Sequence, residues 1–329
     1  MSETAYMLCA LSLCLSASGA WLVSLYGHRL ELLDNPNDRS SHQTATPKGG
    51  GLGILAGFIT SALLLNMSIF FWLPAALLSV ISFVGDRYHL SPAKRLICQF
   101  AASFFLLLGL WNGHPLSSAG YLVIIPLSLF IVGTTNYYNF MDGIDGIAGI
   151  SGLIGFGLLA WFAHSRGAES GIQILSIVLS IGCLAFLPFN FPYARVFMGD
   201  VGSILLGFVF SAFVFLLSDS LVVFLCLSLF LFPFYADEIT TEFIRLKDGE
   251  KLWRPHRRHL YQILANEYSI AHWKVSLGYG LTQLFVGASS LYFLKTGLPA
   301  VLSLFFLYFV VFSVISLTLR KRLTQETGI

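Results

Sequence analysis

Apolar runs of about 16 to 22 residues follow one another along nearly the whole chain, and this length is enough to cross a lipid bilayer as a helix. Only 11% of the 329 residues are charged, whereas soluble domains carry about 25% charged residues. We therefore predict an all-α, polytopic integral membrane protein. The runs leave no room for a separate soluble domain, so residues 1–329 are expected to form a single domain.

The runs predict about ten or eleven transmembrane helices, with the N-terminus outside and the C-terminus in the cytoplasm. Under this topology 17 of the 19 Lys and Arg residues fall on one face, and only Arg166 and Lys295 fall on the other. Such a bias marks the first face as cytoplasmic. The predicted spans lie near 5–26, 50–67, 69–84, 95–111, 120–137, 144–163, 171–189, 201–217, 220–237, 273–293 and 299–319.

Polar residues gather in the connections on the predicted cytoplasmic side. An ionisable group beside hydrocarbon is costly unless it is paired, so acids in these connections are candidates for function. The connections lie near 28–49, 85–94, 136–146, 190–200 and 237–272.

The stretch from Asn136 to Gly146, NYYNFMDGIDG, is the densest of these sets. Asn139 and Asp142 are three positions apart, as are Asp142 and Asp145, so neighbouring members share a face if the segment is helical. Carboxylates are hard ligands suited to Mg²⁺, and glycine lets backbone approach a ligand closely. The alternative is a helix end with Asp as cap and Gly as terminator. So many polar groups together favour a site for a cation and a phosphate.

Two further acids are expected on the same face. Asp200 opens an apolar run, where it is an N-cap, a metal ligand or both, and we favour a metal role. Asn190 adds an amide shortly before it. Asp86 lies at the end of another run without a second acid beside it. The basic residues after Asp86 are interpreted as a positive helix flank; they are Arg87, Lys94 and Arg95.

Two basic segments complete the set. Lys48 precedes a glycine turn, Gly49 to Gly51, that either presents backbone N–H groups to phosphate or permits close helix packing. The segment RPHRRHLYQ is either a patch for anionic lipid or a clamp for a diphosphate and a sugar. We favour the clamp for His256 and Arg257.

In this order, the polar segments resemble the polyprenyl-phosphate N-acetylhexosamine-1-phosphate transferases of bacterial membranes. The last segment is similar to the branch that initiates O-antigen or other surface polysaccharides, and it lacks the PIHHHFE-like stretch of the peptidoglycan branch. The segments are DNPNDRSSH, PKGGG, GDRYHLSP, NYYNFMDGIDGIAG, FNFPYARVFMGDVGS and RPHRRHLYQ.

The resemblance implies transfer of a sugar-1-phosphate from a UDP-N-acetyl sugar to undecaprenyl phosphate, with release of UMP. It implies Mg²⁺ as cofactor, with Mn²⁺ as an alternative, and a site on the cytoplasmic face of the bacterial inner membrane. No nucleic acid partner is expected, and a homodimer is left open.

The resemblance also implies roles for individual residues. Asp200 and Asp142 would bind the metal. The catalytic group would be Asp86, Asp142, Asp145 and Asp200, and the substrate-binding group would be Lys48, Asn139, Asn190, His256, Arg257 and His259. Gly85 stands where the family usually has the first of two adjacent acids, so this chain keeps only the second, Asp86. Lys48 stands where Arg is common in the family; it keeps the positive charge but lacks the planar set of N–H donors of a guanidinium.

Two alternatives concern mechanism and class. Phosphoryl transfer depends more on positioning and charge neutralisation than on covalent help, so single displacement is favoured over a phosphorylated Asp. A membrane transporter of a phosphorylated or nucleotide-linked solute is the main rival from another class. Transporters tend to place ionisable or unwound elements near the bilayer midplane, and the predicted spans carry no acid or base at their centres.

Overall fold

The computed structural model describes residues 2–36, 40–88, 90–110, 118–252, 254 and 256–327. Within them every predicted span contains a helix, and strands β1 (Leu33–Asp34) and β2 (Thr46–Pro47) form a short antiparallel sheet. The α-helices are α1 (Glu3–Tyr26), α2 (Leu52–Leu64), α3 (Ile69–Tyr88), α4 (Pro92–Leu110), α5 (Ser118–Phe140), α6 (Ile147–Ser165), α7 (Ser170–Asn190), α8 (Asp200–Leu217), α9 (Leu221–Ser228), α10 (Phe232–Lys247), α11 (Leu260–Asn266), α12 (His272–Phe293) and α13 (Leu298–Thr327).

Seven helical stretches in the described part of the chain are long and apolar enough to cross a membrane, which confirms the polytopic all-α prediction. They are Glu3–Tyr26, Ile69–Asp86, Ile147–Ser165, Ser170–Asn190, Asp200–Leu217, Leu221–Lys247 and Leu298–Gln325. Helix α2 is apolar but has only 13 residues. Membrane crossing by α2, α4, α5 and α12, like the orientation of the termini, stays a prediction.

Helix α8 is the central helix of the bundle. Every residue from Val201 to Val214 is buried, and the helix contacts α2, α3, α5, α6 and α9. A helix that is apolar on all sides becomes enclosed by other helices. Its first residue, Asp200, is therefore held near the middle of one end of the bundle.

The glycine turn before α2 packs against the backbone that leads into α8. The N–H groups of Gly49 and Gly50 donate to the carbonyl oxygen of Phe197 at 3.1 and 2.9 Å, and Gly51 N–H donates to the Met198 carbonyl at 3.0 Å. These three donors are already used within the protein. The turn therefore serves close packing rather than phosphate binding, and it brings the adjoining Lys48 beside the start of α8.

Replacing Gly51 with alanine is expected to destabilise the protein. A Cβ atom at Gly51 would lie 2.5 Å from the Cα atom of Gly202, so two backbones must separate. We expect Gly51→Ala to cost about 1–3 kcal/mol, seen as a lower melting temperature in detergent. Gly278→Ala is the matched control, because a Cβ there meets no atom within 4 Å. Equal melting temperatures for the two variants would contradict the packing interpretation.

The last large connection is shorter than predicted, because the chain stays helical to Lys247 in α10. The apolar run ends near Asp237, but the polar residues after it point inward and are buried; among them are Glu238, Thr241 and Arg245. Hydropathy alone ends the span too early when a helix turns a polar face toward a site.

Candidate active site

A cavity of about 650 Å³ opens at the end of the bundle where α3 and α5 end and α8 begins. Residues from five separate segments line it, which fits the expectation that the predicted cytoplasmic connections meet at one place. Seven of the ten predicted site residues are in its lining: Lys48, Asp86, Asn139, Asp142, Asp200, His256 and His259. A second cavity of about 510 Å³ shares Lys48, Asp86 and Asp200 with the first.

Arg95 joins two of the predicted catalytic acids. Its Nη1 donates to Asp200 Oδ2, and its Nη2 donates to Asp86 Oδ1 at 3.1 Å. Lys48 Nζ lies 3.6 Å from the other oxygen of Asp86. A guanidinium presents several N–H donors in a fixed plane, which suits it to two carboxylates at once. The two acids are thus bound by one cation.

Sequence reasoning missed Arg95, which was interpreted only as a positive flank. The side chain of Gln99, one turn further along α4, exchanges amide hydrogen bonds with Asn136 of α5 at 3.1 and 2.6 Å. This pair fixes the face of α4 that carries Arg95. The available signal was the spacing, because Arg95 and Gln99 are two polar residues four apart on a mostly apolar helix.

Asn139 orients the acid at the start of α8. Its Nδ2 donates to Asp200 Oδ1 and to Ser203 Oγ, both at 2.9 Å. The N-cap position of α8 is occupied by Gly199, with φ of 73°, and Asp200 is the first helical residue. The carboxylate of Asp200 therefore bonds to other helices instead of capping its own.

Asp142 lies in the turn after α5 and, with Asp86 and Asp200, is one of three predicted catalytic acids that line the cavity. Burial, and then the charges of Asp200 and Asp34, raise the pKa of its carboxyl to about 7. A carboxyl whose pKa is raised by neighbouring acids favours a cation nearby, because a positive charge offsets the repulsion. This is the electrostatic setting of a cation or phosphate site.

The carboxylates of the cavity are the groups that could hold Mg²⁺. Among the described residues, no group of three or more His, Cys, Asp or Glu side chains is close enough to hold a metal ion by itself. Mg²⁺ is commonly bound by one or two carboxylates, with waters and substrate phosphates completing its shell. Asp200 and Asp142 fit that mode of binding, in which the substrate brings the remaining ligands.

Three predicted site residues lie outside the cavity lining. Asp145 pairs with His272 of α12, with 3.3 Å between Oδ2 and Nδ1. Asn190 is buried; its Oδ1 accepts from Gly146 N–H at 2.8 Å and its Nδ2 donates to the Val196 carbonyl at 3.0 Å. These two residues join the Asp142 turn to its surroundings, so the geometry gives them a supporting place and their direct roles stay predictions.

Arg257 is the third of these residues, and the clamp expected around it has a different composition. Arg257 is half exposed and lies 3.7 Å from Glu267. Arg258 instead pairs with Asp248 and Glu250. From this segment the cavity is lined by His256 and His259, and also by Arg254, Tyr261 and Gln262. Arg254 is therefore the arginine of this segment that lines the cavity, and helical spacing does not reveal this in a loop.

Buried Arg245 holds this loop. Its guanidinium donates to Glu250 Oε2 at 2.9 Å and to the carbonyl oxygens of Leu252, Lys251 and Arg254 at 2.9–3.3 Å. Arginine buried without partners is unfavourable, and here the loop carbonyls supply the partners. The loop is thereby wrapped around a side chain from α10.

His256 and His259 are neutral at pH 7. Burial, the neighbouring His259 and Arg245 lower the pKa of His256 to about 4. Burial, Arg320 and Arg245 lower the pKa of His259 to about 3. Neutral imidazoles can donate and accept hydrogen bonds at once, which suits recognition of a sugar or nucleotide better than charge neutralisation.

His259 is expected to make folding stability depend on pH. The pKa of His259 is lowered in the folded protein. Its contribution to the free energy of unfolding is therefore complete above the unfolded pKa near 6.5 and is lost as the pH falls toward 3. Between pH 6.5 and 5 the wild type should lose about 2 kcal/mol through this residue. Melting in detergent at both pH values should show a smaller loss for His259→Gln. An equal loss in the variant would mean that other groups carry the pH dependence.

Similarity to known proteins agrees with this geometry. The family model for glycosyl transferase family 4 matches residues 68–218, which contain Asp86, Asn139, Asp142 and Asp200. The chain is 30% identical over 284 residues to a phospho-N-acetylmuramoyl-pentapeptide-transferase of Staphylococcus saprophyticus, covering 75% of this chain and 87% of the relative.

Two further relatives are named as N-acetylglucosaminyl 1-phosphate transferases. An undecaprenyl-phosphate alpha-N-acetylglucosaminyl 1-phosphate transferase of Thermotoga maritima is 29% identical over 311 residues, covering 90% of this chain and 91% of the relative. A probable undecaprenyl-phosphate N-acetylglucosaminyl 1-phosphate transferase of Bacillus subtilis is 29% identical over 199 residues, 56% of this chain and 54% of the relative. Similarity over most of the length, centred on the segments that build the cavity, places the protein in glycosyl transferase family 4.

Proposed function

We propose that the protein transfers an N-acetylhexosamine-1-phosphate from a UDP-sugar to undecaprenyl phosphate, giving undecaprenyl-diphosphate-sugar and UMP. The observation that carries the proposal is that Asp86, Asp142, Asp200 and Lys48 line one cavity, with Arg95 bound to two of these acids. The names of the Thermotoga maritima and Bacillus subtilis relatives support the acceptor and the phospho-sugar. Family membership favours this transferase over the transporter alternative.

The charges around the cavity suit two phosphorylated substrates. Lys48 and Arg95 are cations that already face carboxylates, and phosphate oxygens can take the place of one carboxylate partner. Mg²⁺ bound by Asp200 and Asp142 would offset the charge of the diphosphate and of the departing UMP. His256 and His259, neutral at pH 7, would contact the sugar nucleotide through hydrogen bonds.

A single displacement fits these groups. The lipid phosphate has its second pKa near 6 and is mostly dianionic at pH 7, so its oxygen attacks without strong help from a base. The new bond joins that oxygen to the sugar-bearing phosphorus. The bond from this phosphorus to the bridging oxygen breaks, and UMP leaves with the electron pair. Asp86, with Lys48 and Arg95 beside it, would orient the attacking phosphate.

The pathway is the finer part of the proposal. We assign the protein to the initiation of O-antigen or another surface polysaccharide because its last polar segment reads RPHRRHLYQ instead of a PIHHHFE-like stretch. The relatives include a phospho-N-acetylmuramoyl-pentapeptide-transferase as well as N-acetylglucosaminyl 1-phosphate transferases, so the segment and not the similarity carries this choice. The bias of Lys and Arg supports a cytoplasmic site in the bacterial inner membrane.

The proposal is tested with purified protein, undecaprenyl phosphate, Mg²⁺ and a panel of UDP-N-acetyl sugars. Lipid-linked product and UMP are measured together, and we expect them in equal amounts for at least one sugar. A UDP-N-acetylmuramoyl-pentapeptide in the panel separates the peptidoglycan branch from the surface polysaccharide branch. Solute uptake into sealed vesicles without any lipid-linked product would favour the transporter instead.

A second measurement separates one step from two. If an Asp becomes phosphorylated, the enzyme exchanges labelled UMP into UDP-sugar in the absence of lipid. Single displacement predicts that this exchange is absent from a preparation that is active once lipid is added.

A further inference from the structure

Asp237 is a fully buried carboxylate on α10 that does not line the cavity, although the next residue, Glu238, does. A buried charge is unfavourable unless hydrogen bonds replace its lost hydration. Such a residue has a structural or positioning function that its partners should reveal. It is not among the residues that the sequence analysis selected.

Four donors meet the two oxygens of Asp237. Oδ1 accepts from Leu260 N–H at 2.7 Å and from the Thr241 hydroxyl at 3.2 Å. Oδ2 accepts from Tyr261 N–H at 3.1 Å and from the Tyr279 hydroxyl at 2.7 Å. The carboxylate therefore ties together α10, α12 and the backbone at the start of α11.

The backbone that Asp237 holds belongs to the wall of the cavity. His259 immediately precedes it, and its Nε2 lies 3.5 Å from Glu238 Oε1. Tyr261 also lines the cavity, and its hydroxyl donates to the Phe140 carbonyl at 2.9 Å, just before the turn that carries Asp142. One carboxylate thus helps to set the distance between two sides of the cavity. We call residues 256–262 the histidine wall and the turn that carries Asp142 the acid wall.

We infer that Asp237 is a positioning residue that holds residues 256–262 in register with the acids, so that the sugar nucleotide is gripped from both sides. The inference rests on the proposed function for the identity of that ligand. Asp237 contacts the histidine wall, and not Lys48, Asp86 or Asp200, which line both cavities. A substitution of Asp237 should therefore weaken binding of the sugar nucleotide and not of the lipid phosphate.

The test is Asp237→Asn in the full-length protein. The amide keeps the size of the side chain, but its Nδ2 cannot accept from the two donors that meet one oxygen. Losing hydrogen bonds to a charged group should raise the KM for UDP-sugar about tenfold or more, with the KM for undecaprenyl phosphate little changed. Amide hydrogen exchange over residues 256–262 should become faster. Tyr279→Phe, which leaves both backbone bonds in place, should change neither quantity much.

A second variant tests the same inference if Asp237→Asn does not insert into the membrane. Leu260→Pro removes one of the two backbone donors at the first position of α11, where proline is tolerated. His259 has φ of −66° and ψ of 148°, the conformation that a residue before proline prefers. This variant should shift the same KM and the same exchange by smaller amounts.

Three outcomes would overturn the inference: unchanged KM and exchange in the inserted variants, an equal rise of both KM values, or faster exchange throughout the chain. Failure of the proposed function is distinguishable, because it appears as absence of lipid-linked product from the wild type with every sugar. Even then, exchange over residues 256–262 compares Asp237→Asn with the wild type and tests the positioning itself.

Discussion

Asp200→Asn is expected to lower turnover by about three orders of magnitude or more while the protein still inserts into the membrane. Asp200 accepts from Arg95 and from Asn139, and under the proposed function it binds Mg²⁺. Asparagine fills the same space but carries no charge, and it offers one acceptor oxygen instead of two. The measurement is formation of lipid-linked product at saturating concentrations of both substrates.

The matched control is Asp219→Asn, the same chemical change beyond the other end of α8, where the side chain is exposed. That variant should keep wild-type turnover. Near-normal activity of a folded Asp200→Asn protein would remove the metal-binding assignment and, with it, the central charge argument of the proposed mechanism.

Arg95→Gln is expected to lower turnover about 100-fold. Without the guanidinium, Asp86 and Asp200 lose the cation that they share, and the contact of Lys48 with Asp86 does not replace it at Asp200. Two carboxylates that face one cavity without that cation repel each other and move away from the positions that the substrates require. The turnover of Arg95→Lys should lie between those of the wild type and Arg95→Gln, because lysine keeps the charge but lacks the planar set of N–H donors.

Lys94→Gln provides the control for loss of a positive charge at the same membrane surface, since Lys94 is the exposed neighbour of Arg95. If both variants lost activity equally, Arg95 would have no more than the positive-flank function that the sequence favoured. Titration of Mg²⁺ with Arg95→Gln separates loss of metal binding from loss of substrate positioning.

The membrane architecture and the set of acids could be predicted from the sequence. Apolar runs of spanning length give helices because the bilayer leaves backbone N–H and C=O groups few other ways to be satisfied. Acids placed at the ends of those runs must meet at one surface once the runs alternate in direction. Seven of the ten predicted site residues accordingly line one cavity.

Contacts between distant elements were not predictable in the same way. Arg95 and Asp200 are 105 positions apart, and Leu260 and Asp237 are 23 positions apart. Both pairs depend on how whole helices are rotated about their axes, and an apolar helix carries little local signal for that rotation. The exclusion of Arg257 from the cavity depends likewise on the course of a loop around Arg245.

The sequence by itself therefore determined which residues stand at the ends of the apolar runs, because hydrophobic length and charge act locally along the chain. Only the tertiary structure decided which of them touch, because the burial of α8 and the hydrogen bonds between helices select one arrangement from many with the same pattern. Hydrophobic burial has no direction, whereas a carboxylate and its donors must meet within about 3 Å at defined angles.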